Sequence, residues 1–281
     1  MTDRKSILCP DCRMLISGSE RRCPFCGLGY PAAGWRRLAP FKLFADPALL
    51  IKTLIGANIA MFALSLMLDP RTLGVSANPL RLLSPSDQSL MVLGATGTIP
   101  IDRFQRWWTL LSANYLHGGV LHIFFNMAAL RQLGILVINE YGPSRMFLIF
   151  TVGGVAGFLV SYLAGVHLTI GASAGVCALV GAVLYYGRSR GGTYGTAVYK
   201  QVGMWAIIMF VFGMIVPGIN NWGHGGGLVA GALLGFLLGY HEKKRETALQ
   251  KTLAAGCLVI TAAVLAWAVL SSIYYLFLTT S

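Results

Sequence analysis

The chain has 281 residues, of which 56% are hydrophobic and only 11% charged, and its formal net charge is +12. Soluble domains carry about 25% charged residues, so this composition excludes an ordinary water-soluble fold, and the apolar residues come in long runs as membrane spans do. The basic residues sit in short stretches between those runs, which is the pattern of membrane-protein loops rather than of a nucleic-acid-binding face.

In chain order, the first element is a small unit over residues 1–30. It carries Cys9-Pro-Asp-Cys12 and, ten residues on, Cys23-Pro-Phe-Cys26-Gly27. Two CxxC knuckles supply four thiolates for one tetrahedral ion, and Zn2+ is the usual occupant. A set of four cysteines leaves no open coordination position, so the expected role is structural. A unit this small cannot build a core without its metal. Stable disulfides are disfavoured on the cytoplasmic side. Residues 31–47 read as a linker with Pro31, Pro40, Arg36 and Arg37. The first 45 residues hold no apolar run that would serve as a signal sequence.

Seven spans follow: about 48–68, 117–138, 146–166, 171–187, 203–217, 223–240 and 253–277. The fourth and fifth are short for a crossing of about 20 residues, as expected of helices buried inside a bundle. A long loop over 69–114 joins the first two spans and carries Trp107 and Trp108, residues suited to a membrane interface. Placing the N-terminus in the cytoplasm puts sixteen Lys/Arg in segments 1–47, 139–145, 188–202 and 241–252, against four on the other side (Arg71, Arg81, Arg103, Arg106). That asymmetry predicts N-in and C-out with an odd number of spans. Arg131, within the second span, either snorkels or pairs with Glu140.

Polar groups inside spans are costly and ask for a reason. The second span holds His122 and Asn126, four apart and so on one helix face, with His117 at its mouth. The fourth opens with Gly171-Ala172-Ser173-Ala174-Gly175. The sixth carries Gly223, Gly227, Gly231, Gly235 and Gly239, a ridge that lets another backbone approach closely. His224 lies beside the start of that ridge. All of these groups fall near the outer ends of their spans. A lone serine in a membrane helix ordinarily bonds back to its own helix, and a lone histidine is ordinarily a packing residue. Together they form a candidate dyad. No Asp or Glu occurs between Glu140 and Glu242, so a third carboxylate is missing, and a Ser–His dyad is what the set allows. The HExxH zinc-protease motif is absent. Cys177 and Cys257 read as small buried hydrophobes.

The series His117-x4-His122-x3-Asn126, Gly171-Ala-Ser173 and His224-x2-Gly227-x3-Gly231 resembles the rhomboid intramembrane serine proteases, over roughly residues 48–240. The resemblance implies an all-α polytopic membrane protein. Its core is a six-helix bundle over 48–240, followed by a cytoplasmic loop at 241–252 and a seventh span within 253–281. The N-terminal zinc-ribbon-like unit lies outside the shared region.

The resemblance further implies Ser173 as nucleophile and His224 as general base. It implies an oxyanion hole from His122, Asn126 and the Ser173 backbone N–H, with His117 in support. No catalytic cofactor is expected. Expected partners are membrane lipid and transmembrane-helix protein substrates, not nucleic acid, and the expected location is a bacterial inner membrane. Three features depart from the family's pattern. Ala174 stands where glycine commonly follows the serine, and an added methyl there could crowd the oxyanion hole. Cys177 stands where an aromatic residue often supports the histidine. The family's Trp-Arg loop pair is here Trp108-Thr109, with Arg106 two residues earlier. The alternative reading is a rhomboid-like pseudoprotease that binds membrane helices without cutting them. A solute transporter would call for inverted repeats, and none is visible.

Overall fold

A computed structural model describes residues 6–9, 14–25, 27, 29–32, 43–68, 82–216 and 218–280, with side chains as far as 275. Cys12, Cys26, most of the linker and all of residues 69–81 lie outside the described residues. In the N-terminal unit, β1 (Ser6–Leu8) pairs antiparallel with β2 (Leu15–Ser17), with Ile7 opposite Ile16 and Leu8 opposite Leu15. Alternation sends Ile7 and Ile16 to one face, where Cys9, Ile16 and Cys23 form a buried cluster.

Helix α1 (Pro47–Met67) starts where Asp46 accepts hydrogen bonds from the N–H groups of Ala48 and Leu49, with Pro47 in the first turn. Such a cap satisfies donors that the helix start leaves unpaired. Its 21 residues span roughly 31 Å, the thickness of a bilayer's hydrocarbon core. The described part of the long loop is built rather than irregular. It holds α2 (Asp87–Val92), capped by Ser86, a π turn at Ile99–Arg103, α3 (Thr109–Ser112) and a 3-10 turn at Ala113–Tyr115.

The remaining helices are α4 (Val120–Tyr141), α5 (Pro143–Leu163), α6 (Ser173–Arg190), α7 (Gly192–Ile215), α8 (Asn221–Leu238) and α9 (Ala248–Thr280). Among the described residues, five helices are long and apolar enough to cross a membrane: α1, α4, α5, α7 and α9. The expected fourth and sixth spans are α6 and α8, each 18 residues; α6 is buried along most of its length, and α8 along its glycine face only. The largest correction concerns the fifth span, which starts at Gly192 and not at 203. Residues 188–202, expected as a loop, are two helix ends joined at Gly191 and Gly192, both at positive φ. Lys200 and Gln201 lowered the local hydropathy without breaking the helix.

Helix α6 is the centre of the bundle and packs most extensively on α8. The reason is steric. A Cβ on Gly227 would run into the Ala174 carbonyl, one on Gly231 into the Ala178 carbonyl, and one on Gly181 into the Leu228 carbonyl. Small residues therefore face each other turn after turn on both helices, which permits close backbone approach.

Arg145, expected in an inner loop, is instead fully buried in the first turn of α5. Its guanidinium donates to Gln250 Oε1 at 2.9 Å and to the Arg245 carbonyl at 2.8 Å. The Glu246 carboxylate accepts from the Ser144 and Arg145 N–H groups at 2.8 and 3.0 Å. These bonds tie the segment before α9 to the start of α5. Glu140 accepts from the Tyr194 hydroxyl at 2.9 Å, and among the described residues the ion pair is Arg190–Glu242 rather than Arg131–Glu140.

Candidate active site

Ser173 is the first residue of α6, and His224 lies in the first turn of α8. The glycine seam between these helices brings the two side chains together: His224 Nε2 lies 2.9 Å from Ser173 Oγ. Ser173 is half-buried and His224 buried. His224 Nδ1 has no hydrogen-bond partner among the described residues, so no carboxylate orients the ring.

The start of α8 is held by Asn220. Its side-chain oxygen accepts from the Gly223 N–H at 3.0 Å, and its amide donates to Ser161 Oγ at 2.7 Å and Thr169 Oγ1 at 2.9 Å. The Asn220 carbonyl accepts from the His224 N–H at 3.2 Å. Asn220 thus fixes the turn that carries the histidine to α5 and to the strand-like segment before α6. The sequence reading missed it, although Asn three residues before an apolar run is a recognisable cap.

On the other side of Ser173 stands α4. His122 Nδ1 accepts from the Gly118 N–H at 3.2 Å. A neutral imidazole that accepts at Nδ1 carries its hydrogen on Nε2. A Cβ built on Gly171 would stand 2.8 Å from that Nε2 and 3.5 Å from Ser173 Oγ. The two atoms therefore flank one small space, kept open because residue 171 is glycine at φ +124°. The Asn126 amide donates one hydrogen back to the His122 carbonyl at 2.9 Å, which leaves its second hydrogen uncommitted. His117 lies before α4 and is fully buried. Its ring packs edge-on to His122 with centroids 5.0 Å apart, and neither of its nitrogens has a hydrogen-bond partner among the described residues.

The departures at 174 and 177 have local explanations. Ala174 is buried where α5, α6 and α8 meet, and its methyl faces Gly157 of α5. Cys177 is buried with its Sγ 3.5 Å from Met209 Sδ of α7. The aromatic ring nearest His224 comes from α7 as well: Phe210 sits edge-on, centroids 6.4 Å apart at 89°. No sequence signal marked Phe210, since one aromatic residue in an apolar span is unremarkable.

The loop between α1 and α4 is anchored by its own set of bonds. Arg106 donates to the Met91 carbonyl at 3.3 Å, and Thr109 donates to Thr96 Oγ1 at 3.0 Å. Thr96 and Thr169 exchange backbone bonds of 3.1 and 2.7 Å, and the Gly171 N–H donates to the Ala113 carbonyl at 2.9 Å. Trp107 packs on Tyr162 with centroids 5.3 Å apart. The loop is thereby pinned to the segment that leads into Ser173.

Residues 105–241 match the Rhomboid domain family model. RHOMBOID-like protein 5 of Arabidopsis thaliana is 30% identical over 210 residues, 68% of this chain and 68% of that protein. RHOMBOID-like protein 4 of Arabidopsis thaliana is 31% identical over 67% of this chain and 52% of that protein. Rhomboid protease GluP of Bacillus subtilis (strain 168) is 32% identical over 64% of this chain and 35% of that protein. The chain thus spans about half the length of RHOMBOID-like protein 4 and about a third of GluP.

Proposed function

The chain belongs to the rhomboid family, an integral multi-pass membrane fold, and from that premise we propose that it is a serine-type intramembrane protease with Ser173 as nucleophile and His224 as general base. The observation that carries this reading is the 2.9 Å contact between His224 Nε2 and Ser173 Oγ, made between two helices whose glycine seam brings them within reach.

Ser173 Oγ attacks the scissile carbonyl carbon as its proton passes to His224 Nε2. The same nitrogen then protonates the leaving amine, and a water molecule hydrolyses the acyl-enzyme by the reverse transfers. Three donors converge on the developing oxyanion: the Ser173 N–H, His122 Nε2–H and the second hydrogen of the Asn126 amide. The Ser173 N–H is one of those a helix start leaves unpaired, and the macrodipole adds about half a positive charge there. His117 backs His122. The Ala174 methyl faces Gly157, which favours an uncrowded oxyanion hole. The expected substrates are transmembrane segments of other proteins, entering from the bilayer and cut near their outer ends.

The proposed topology is seven spans, N-terminus in and C-terminus out, because sixteen basic residues against four favour it. The dyad then opens to the outer side. The proposed domains are a zinc ribbon at 1–30, a linker at 31–47, the six-span core at 48–240, a cytoplasmic loop at 241–252 and the seventh span within 253–281. For the ribbon, Zn2+ would be held by Cys9, Cys12, Cys23 and Cys26. The convergence of Cys9 and Cys23 in one buried cluster at the heads of two knuckles fits that donor set. The ion would supply folding energy to the unit and take no part in the chemistry.

The test is labelling of the detergent-purified protein by a fluorophosphonate. Wild type labels, and Ser173→Ala and His224→Ala do not. His122→Ala slows labelling by about 100- to 1000-fold, the usual value of one oxyanion donor. Failure of well-folded wild type to label would overturn the protease reading in favour of a non-cutting helix binder.

A further inference from the structure

The N-terminal unit presents a face that its own packing does not explain. A two-stranded hairpin on a small core ordinarily turns apolar side chains inward and polar ones outward. Here Ile7 and Ile16 face in, but their outward neighbours are Leu8 and Leu15, which stand opposite each other across the ladder. Leu8 is 64% exposed and Leu15 65%. Met14, next to Leu15, and Phe25, at the tip of the second knuckle, are exposed as well. Both knuckles converge on the buried Cys9–Ile16–Cys23 cluster, so these side chains crowd one small unit. Around them the charge is basic. Arg21 and Arg22 are exposed, and the Arg22–Gly29 bridge sets Arg22 at the base of the knuckle that carries Phe25.

The unit cannot travel far from the bilayer. The unit ends at residue 30 and the first span starts at Pro47, so the tether is at most about 60 Å at roughly 3.3–3.6 Å per residue. That linker carries Trp35 and Phe41 among Arg36, Arg37 and Lys42, the mix of aromatic and basic residues that suits a membrane–water interface. The apolar face, the arginines and the tether composition all fit one partner.

We propose that the N-terminal unit docks on the acidic-phospholipid surface of the bilayer that holds the core, inserting Leu8, Leu15, Met14 and Phe25 while Arg21 and Arg22 meet headgroup phosphate. Apolar insertion and attraction to anionic lipid act together in such binding, and neither alone gives a stable attachment. The docked unit holds the start of α1 at a fixed depth. This proposal rests on the hairpin and its exposed side chains, whether or not the unit holds the zinc proposed for it.

The test uses the full chain in lipid nanodiscs, with a photoreactive benzoylphenylalanine in place of Phe25 or of Leu15, and a control at the exposed Ser19. Lipid adducts at positions 25 and 15, absent at 19, are the expected result in discs of phosphatidylcholine with phosphatidylglycerol. The yield falls by at least about fivefold in phosphatidylcholine alone, or when Arg21→Gln and Arg22→Gln are combined, since one basic residue near an anionic surface is worth about that factor. The absence of lipid adducts at both positions overturns the proposal, as does crosslinking only to a second protein when the same chain is irradiated in whole membranes. Metal analysis of the same sample separates the two readings. One zinc per chain without lipid adducts sinks the docking proposal alone, and lipid adducts without zinc sink the ribbon reading while the docking stands.

Discussion

Helices α8 and α7 both touch the candidate dyad, and they are held in opposite ways. On α8, Gly223, Gly227, Gly231 and Gly235 are buried, Gly227 and Gly231 directly against the backbone of α6, and His224 lies between the first two. On α7, the buried residues are Gly195, Val198, Val202 and Ala206, all N-terminal to Ile207. Its C-terminal part leaves Ile207, Ile208, Val211, Phe212, Met214 and Ile215 exposed, and its contact with α8 is slight. His224 is therefore carried by a seam that cannot shift without steric collision, and its ring is covered by an element with only slight contact to α8. Backbone-to-backbone packing sets where His224 is, and side-chain packing from α7 sets how its ring is turned.

The comparison breaks most severely at the seam. Gly231→Val would drive a branched side chain into the Ala178 carbonyl. Overpacking of this kind costs about 1–3 kcal/mol or more, so the thermal midpoint in detergent should fall by roughly 5–10 °C. Fluorophosphonate labelling should fall to background, because the two halves of the dyad ride on the two helices forced apart. Unchanged labelling in this variant would show that the dyad does not depend on the seam.

A smaller effect is expected at Asn220, which anchors α8 without entering the seam. Asn220→Ala removes a helix cap worth about 1 kcal/mol and leaves Ser161 and Thr169 without their shared donor. Labelling should slow about tenfold, which corresponds to roughly 1.4 kcal/mol in the barrier. Asn220→Asp keeps the cap acceptor but loses both donated bonds, and its rate should lie between the other two. Equal rates for Ala and Asp would mean that the cap contributes nothing to placing His224.

The same contrast explains what the sequence made legible. Periodic glycines on α8 and the small residues of the fourth span are local patterns, so the seam, and with it the nearness of Ser173 and His224, could be inferred from spacing. His122 and Asn126 were legible because polar residues in an apolar run stand out. The start of α7 was not, since hydropathy fell through Lys200 and Gln201 while the backbone stayed helical from Gly192. Arg145 was counted as a loop charge because nothing in its neighbourhood announces that Gln250 and the Arg245 carbonyl, a hundred residues on, will enclose it. Phe210 was invisible for the same reason. Its role depends on which helix it faces, and an exposed apolar helix carries no periodic mark of a partner.

Phe210 supplies the smallest and most discriminating prediction. An edge-on aromatic contact is worth about 0.5–1.5 kcal/mol, so Phe210→Ala should slow labelling roughly threefold to tenfold, with little change in thermal midpoint. Met214→Ala, on the same helix but exposed, should change neither. The cover can in principle be supplied from α6 instead, since Cys177 is buried against Met209, the residue beside Phe210. Cys177→Phe in wild type overfills that site and should lower stability. In the Phe210→Ala background the new ring has room, and the double variant should label faster than Phe210→Ala alone. That reversal of sign is a coupling between the two positions. If the two substitutions simply add, the α7 ring is packing and nothing more, and His224 is positioned by the seam and Asn220 without help from α7.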